Sequence, residues 1–291
     1  MPVHIAGIVV NGVLLGLVYA IAALGLSLVM GVMGIINVAH SAFIMLGSFL
    51  ALGLLEWAHI DPIASFFLAL PIFFALGVAT YRLIVTRVER AHQTQGLIAM
   101  FGLMVLIENL GTIAWTTDTR VITVGYSNAN LMVGSLLIAD APLIAGALAL
   151  LLIAGFRVFL HATLIGRAIR AMGQNRDAAR ALGVNVRALS AVMFGLGIAS
   201  AGSAGVALGM IFPFAPQTQI QWLAWAFLIV VLGGLGRVEN TLVSALAVGL
   251  IQTAATAFLP FDYVYLILYV ALAAMLVVRR QGLRGVVRRA I

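Results

Sequence analysis

The chain of 291 residues contains no cysteine and no lysine. The first absence rules out disulfides, thiol nucleophiles and cysteine metal sites. The second rules out a Walker-type phosphate loop, because G-x-x-x-x-G-K-[ST] cannot be written without lysine. Acid is scarce too: nine Asp and Glu lie dispersed along the chain and form none of the acid-rich motifs a membrane-embedded transferase needs. The five histidines are scattered and fit no metal spacing. Nothing in the sequence asks for a bound metal or other cofactor. The start, MPVHIAGIVVNG, lacks the positive region of a cleavable signal peptide, so the first apolar run is expected to be retained.

What remains is apolar. Hydrophobic residues make up 64% of the chain and charged ones 9%, with a mean hydropathy of +1.17. Several runs approach the roughly 20 residues that cross a bilayer. The expected fold is all-α, a polytopic membrane helix bundle forming one transmembrane domain over residues 1–291 with no separate soluble part. The net charge of +7 comes entirely from arginine on the basic side. Fourteen of the sixteen arginines fall in three clusters: Arg82 to Arg90, Arg157 to Arg187, and Arg279 to Arg289. Clusters beside spans are topology determinants, whereas a nucleic-acid groove would need them on a soluble face. A lipid bilayer is therefore the expected partner, and nucleic acid is not.

The expected spans, in order, begin with Ile5 to Met30, Ser41 to Leu55, Pro62 to Ile84 and Gly96 to Trp115. Ala141 to Leu160, Leu189 to Met210, Leu242 to Leu259 and Tyr263 to Val278 follow. Trp222 to Leu232 is an apolar stretch of only about half the core thickness, roughly 16 Å as helix. Depending on whether it crosses, the count is eight or nine. Thr116 to Asn130 is polar and neutral enough for a loop on the far side, and Leu131 to Ile138 is a short apolar approach to the next span. With every arginine cluster inside, the N-terminus is external, and the C-terminus and the basic tail 279–291 are cytoplasmic. Trp222, Trp225, Tyr263, Tyr265 and Tyr269 read as interface belts or packing.

Within the first span, Gly12 and Gly16 have the small-xxx-small spacing that admits a second helix closely. Two Gly-rich interruptions follow a common pattern. Gly31, Gly34 and Gly47 recur at one offset as Gly233, Gly236 and Gly249, each set marking an apolar half-span, a G-x-x-G break and a resumed helix. Matching broken or re-entrant segments in two halves mark a transporter's solute pathway and suggest an internal repeat. The candidates there are Gly31, Gly34, Asn37, His40 and Ser41 in the first break, and Gly233, Gly234 and Gly236 in the second. Asn37, His40 and Ser41 either contact solute or stabilise the break, with Asn37 or Ser41 capping free backbone N–H groups. Glu108 lies inside a span, where a charge is expensive. It is read as a protonated or hydrogen-bonded partner of Asn109 that holds helices together, or alternatively as a proton site.

The longest polar segment between spans is residues 161–188, whose arginines face the single acid Asp177. Asn175 is placed to cap a short helix and Gly183 to end it, which leaves Asp177 near the positive end of the helix dipole. Such an ordered basic loop is suited to docking another protein, although a loop lying on anionic headgroups would carry the same charges.

Residues Gly16 to Gly25 (GLVYAIAALG) and Gly31 to His40 (GVMGIINVAH) resemble the LivH-type permease subunits of branched-chain amino-acid ABC importers. Gly166 to Ala171 (GRAIRA), Ala178 to Gly183 (AARALG) and Val231 to Gly236 (VLGGLG) are similar to the same family and keep its order. Ser41-Ala42 replaces the family's usual Gly and acid after Ala-His, and Asn240 replaces a usual Gly after the second break. The resemblance implies a transport subunit of the cell inner membrane rather than an enzyme. It would pair with a second, homologous permease subunit and two cytoplasmic ABC ATPase subunits. A periplasmic or lipid-anchored solute-binding protein would deliver the solute. It also implies that Gly166, Arg167, Arg170, Asn175, Arg176, Asp177, Arg180 and Gly183 form the element that couples to the ATPases. Relatives of this class carry amino acids, urea or amides, and small organic acids. The alternative is an ion-coupled secondary transporter using Glu108.

Overall fold

The computed structural model describes residues 2–88, 93–127, 129–133, 136–236 and 238–260, and beyond these 263–264, 266–267, 269–270 and 273–274. The third arginine cluster, Arg90 of the first, His92, Arg237, Tyr265 and half of the last expected span lie outside the described residues.

The chain begins with α1 (Pro2–Met33), α2 (His40–Ala58) and α3 (Pro62–Thr80). A π-helical turn (Tyr81–Val85) joins α3 to the short α4 (Thr86–Val88), and α5 (Gln93–Trp115) follows. An antiparallel hairpin, β1 (Asn130–Val133) with β2 (Leu136–Ala139), leads into α6 (Asp140–Ala162). The central polar segment holds α7 (Leu164–Gln174) and α8 (Arg176–Ala181). The chain continues through α9 (Val186–Ile211), α10 (Gln219–Gly233) and α11 (Val238–Phe258). Seven of these helices are long and apolar enough to cross a membrane, counting α3 to α4 as one. The fifteen residues of α10 reach about 22 Å, short of the roughly 30 Å core. The only strands among the described residues belong to the hairpin, which occupies the stretch expected as an apolar approach.

α6 defines the two ends of the bundle: it starts at the hairpin and finishes at the arginine-rich segment. α9 is its pillar. It packs against α1, α2, α3 and α6, and 89% of its apolar window is buried inside the protein. Gly195, Gly197, Ser200, Gly202, Ser203, Gly205 and Gly209 allow this, because small residues let backbones approach where lipid offers no hydrophobic drive between helices. A methyl built on Gly205 would strike the carbonyl of Ile44 in α2, and one on Gly25 would strike the carbonyl of Gly197. Hydroxyls tie the same crossings. Ser48 donates to the Gly205 carbonyl at 2.6 Å, Ser203 donates to Phe66 at 3.3 Å, and Ser200 donates to Ile21 at 2.5 Å.

The α1–α11 seam is built as the Gly12–Gly16 spacing predicts. An added Cβ would lie 2.9 Å from Leu250 at Gly12 and 2.7 Å from Leu246 at Gly16, and one on Gly249 would meet the Gly12 carbonyl at 2.5 Å. At the hairpin end, Arg120 and Phe214 form an isolated backbone bridge, and Tyr126 donates to Asp61 at 2.9 Å. Burial, the Asp61 bond and the Asp61 charge together push the Tyr126 phenol pKa upward.

Candidate functional site

The first break lies where expected but folds back farther than its sequence suggests. Gly34 takes φ +69, a left-handed conformation that glycine adopts freely, and its N–H donates to Met30 at 3.1 Å to finish α1. The chain then turns back along α1, and His40 Nε2 donates to the Ala22 carbonyl at 2.8 Å. Ala22 precedes Met33 by eleven residues, so α2 restarts about 16 Å along α1 from its end, inside the bundle.

The expected capping is not what holds this break. The N-cap position of α2 is Ala39, which has no side chain to give. The N–H groups of Ala42 and Phe43 are taken by the Ala39 carbonyl, and that of His40 by the Asn37 carbonyl. Ser41 donates to Val38 at 3.3 Å instead of accepting. Asn37 is fully enclosed, and among the described residues neither its Oδ1 nor its Nδ2 has a partner; the same is true of His40 Nδ1.

The second break is tighter. α10 ends at Gly233, Gly234 takes φ +83 with its N–H on Val230 at 2.9 Å, and Gly236 takes φ +76. A Cβ on Gly233 would lie 2.8 Å from the Thr241 backbone, so α10 and α11 form a close helical hairpin. Thr241 donates to Ser27 Oγ at 3.0 Å. The two breaks also meet: a Cβ on Gly236 would lie 2.9 Å from Gly31 Cα, and one on Gly31 would strike Gly236. The repeat offset pairs like with like, since Gly34 and Gly236 are both left-handed. Gly47 and Gly249 both sit at backbone-to-backbone crossings, against Gly202 and Gly12 respectively.

Toward the hairpin end, an aromatic layer closes over the first break. Tyr19 stacks on Trp225 with centroids 5.0 Å apart and donates to Gln252 at 2.6 Å. Trp222, Leu208 and Ile229 complete the layer around Ala22, and the space between them is too small for a water molecule. Trp222 and Trp225 are thus buried packing and not an interface belt. Sequence reasoning missed Tyr19 and Gln252, although Tyr19 lies within the stretch that carries the family resemblance.

Glu108 bonds to a different helix, and its partner there is not Asn109. Gln219, fully buried at the start of α10, donates to Glu108 Oε2 at 2.7 Å. Asn109 is exposed and bonds its own helix at Val105. Glu108→Ala would leave the buried Gln219 amide without its recorded partner. We expect it to cost about 1.5–3 kcal/mol, the range for hydrogen bonds to charged groups, in thermal unfolding of the purified protein. Asn109→Ala should change little, and equal losses from the two would refute the assignment.

The 161–188 segment is a built structure. Thr163 caps α7, accepting from Gly166 at 2.9 Å, and Gly166 is buried against the last turn of α6, where a Cβ would lie 2.6 Å from Leu160 Cα. Arg170 donates to the Leu160 carbonyl. Asn175 caps α8 through Asp177 N–H at 3.1 Å and Ala178 N–H at 2.9 Å, and Gly183 ends the turn at φ +84. Ile169 and Met172 anchor α7 to the bundle. Arg167 and Arg180 face outward, with Leu164 76% and Leu182 85% exposed beside them, and Arg176 is half-buried. The Asp177–Arg180 pair, at 3.6 Å and exposed, contributes little. A Cβ on Gly173 would lie 3.3 Å from Val32, so α7 rests on the last turn of α1, just before Gly34. Arg157 and Glu239, 3.7 Å apart, join α6 to α11 at the same end.

No solved structure gives a significant match to the chain. Among curated proteins, the high-affinity branched-chain amino acid transport system permease LivH of Escherichia coli K12 is 28% identical, with 94% of each chain covered. The permease BraD of Pseudomonas aeruginosa PAO1 is 26% identical over 95% of this chain and 94% of its own. A ribose import permease, RbsC of Haemophilus influenzae, is 27% identical over 81% of this chain and 73% of its own. None of this supports the ion-coupled alternative, and the Glu108 carboxylate is already engaged by Gln219. The profile of the family described as "branched-chain amino acid transport system / permease component" matches residues 8–277, so the chain belongs to that family, as a membrane transport subunit and not an enzyme.

Proposed function

We propose that this chain forms the translocation path of an ABC importer for branched-chain amino acids or a chemically related small organic solute. ATP is hydrolysed on two separate cytoplasmic subunits, a second homologous permease subunit completes the path, and a periplasmic or lipid-anchored binding protein delivers the solute. The whole chain is one permease domain in the bacterial cytoplasmic membrane, with its N-terminus external and its C-terminus cytoplasmic. The 161–188 segment is the coupling element.

The observation that carries this reading is the contact of α7 with Val32. A capped helix pair presenting arginines and bare leucines on one side rests, on its other side, against the helix turn that opens into the first break. Movement of a docked ATPase therefore has a direct route to Gly34 and to the Gly31–Gly236 contact beyond it.

The test is co-purification in mild detergent with the ATP-binding subunits, comparing wild type, Arg176→Glu/Arg180→Glu and Leu182→Glu. Both variants should lose the ATPases by at least about tenfold, roughly 1.4 kcal/mol, while the permease still elutes as one species. ATPases that stay bound to both variants would sink the assignment of the coupling element.

A further inference from the structure

We infer that Asn37 and His40 form a binding site for the headgroup of the transported solute, and that this site selects groups carrying N–H donors, such as a primary ammonium or an amide. The inference rests on the transport reading above and deepens it.

Three polar atoms, Asn37 Oδ1, Asn37 Nδ2 and His40 Nδ1, are enclosed in the bundle without a partner among the described residues. Leaving such groups unpaired is unfavourable, and native interiors rarely keep them without a reason. They are also clustered. Asn37 and His40 lie one turn apart, joined by the backbone bond from His40 N–H to the Asn37 carbonyl. The location suits a solute held in passage. On the hairpin side, the dry Tyr19–Trp225 layer shares Ala22 with the His40 contact. On the arginine side, the chain leads through Gly34 to the meeting of the two breaks at Gly31 and Gly236. The polar atoms therefore sit between two closures.

Their chemistry specifies the guest. The Ala22 carbonyl can only accept, so His40 Nε2 must carry the N–H that reaches it. In the neutral imidazole this leaves Nδ1 as a bare acceptor. Asn37 Oδ1 is a second acceptor and Nδ2 a donor. Two acceptors beside one donor fit an ammonium or amide N–H group on the acceptors, with a carbonyl or carboxylate oxygen on Asn37 Nδ2. A carboxylate without nitrogen only accepts and would leave both acceptors unpaired. Among amino acids, amides and simple organic acids, the site thus favours the first two. The neighbouring layer of Tyr19, Trp222, Trp225, Leu208 and Ile229 is apolar enough to take a hydrocarbon side chain when it opens.

The test uses the intact complex, with its ATPases and binding protein, in proteoliposomes and in detergent. Asn37→Leu is nearly isosteric and removes the unpaired amide. It should raise the apparent melting temperature by a few degrees and lower leucine uptake at least tenfold at saturating binding protein. Separately, isopentylamine should raise the melting temperature of the wild type but not of Asn37→Leu, and isocaproate should raise neither. The idea is overturned if Asn37→Leu takes up leucine normally, which would make the cluster a water site. It also fails if stability and uptake fall together, the mark of a structural residue, or if isocaproate protects as well as isopentylamine. If the wild type takes up no leucine but still responds to the amine through Asn37, the solute reading fails and the headgroup site stands.

Discussion

Replacing Gly205 with leucine should leave no folded permease in the membrane, and even Gly205→Ala should be severely destabilising. The atoms a new Cβ would meet are backbone: the Ile44 carbonyl, its carbon at 2.8 Å, and Gly47 Cα at 3.0 Å. No rotamer change can clear them, so α2 and α9 must separate, breaking the Ser48 bond to the Gly205 carbonyl as they do. Gly102 and Gly155 are the internal control. A Cβ at either meets nothing within 4 Å, and alanine there should be neutral or stabilising by up to about 1 kcal/mol through helix propensity. The readout is the fraction surviving as a single species after graded heating in detergent. Gly205→Ala surviving as well as Gly102→Ala would mean that the small-residue face of α9 does not set the packing distance.

Trp225→Ala should be the next most damaging change, at about 3–5 kcal/mol, the range for emptying a large aromatic from a packed interior. Trp225 is 5% exposed and stacks on Tyr19, so its loss removes the ring contact and opens a void beside Ala226 and Ile229. In a bilayer this loss is one of packing, because lipid is as apolar as the side chain removed. Trp57, 82% exposed, should tolerate alanine within about 0.5 kcal/mol, as surface substitutions do. Similar melting temperatures for the two variants would show that the aromatic layer is not tightly packed.

What could be read from the sequence was local geometry. Gly12 and Gly16 announce a close helix partner, Asn175 and Gly183 announce the start and end of α8, and Gly34 and Gly236 announce breaks between helices. Each of these signals acts within one or two turns of chain, so residue type and spacing suffice. What escaped was tertiary. Glu108 finds Gln219 across 111 positions, and Tyr19 finds Gln252 across 233, distances over which no spacing rule operates. The same cause lengthened α10. An apolar pattern begins at Trp222, but the helix starts at Gln219, whose Nε2 finds Glu108 on α5. Capping by Asn37 or Ser41 was expected because Asn and Ser at the start of a helix often cap it. The fold instead satisfies those N–H groups with turn carbonyls and leaves the Asn37 side chain unused.

The α1–α11 seam also sets a timetable. Gly12 and Leu250, which touch in the finished protein, are 238 residues apart in the chain. At roughly 5–20 residues per second of synthesis, α1 waits in the bilayer for something like 10–50 s before its partner has been made. Through that interval its glycine face lies open to any other helix that passes. A nascent chain cut short before α11 would keep that face bare indefinitely, giving membrane quality control a simple mark by which to tell an unfinished permease from a finished one.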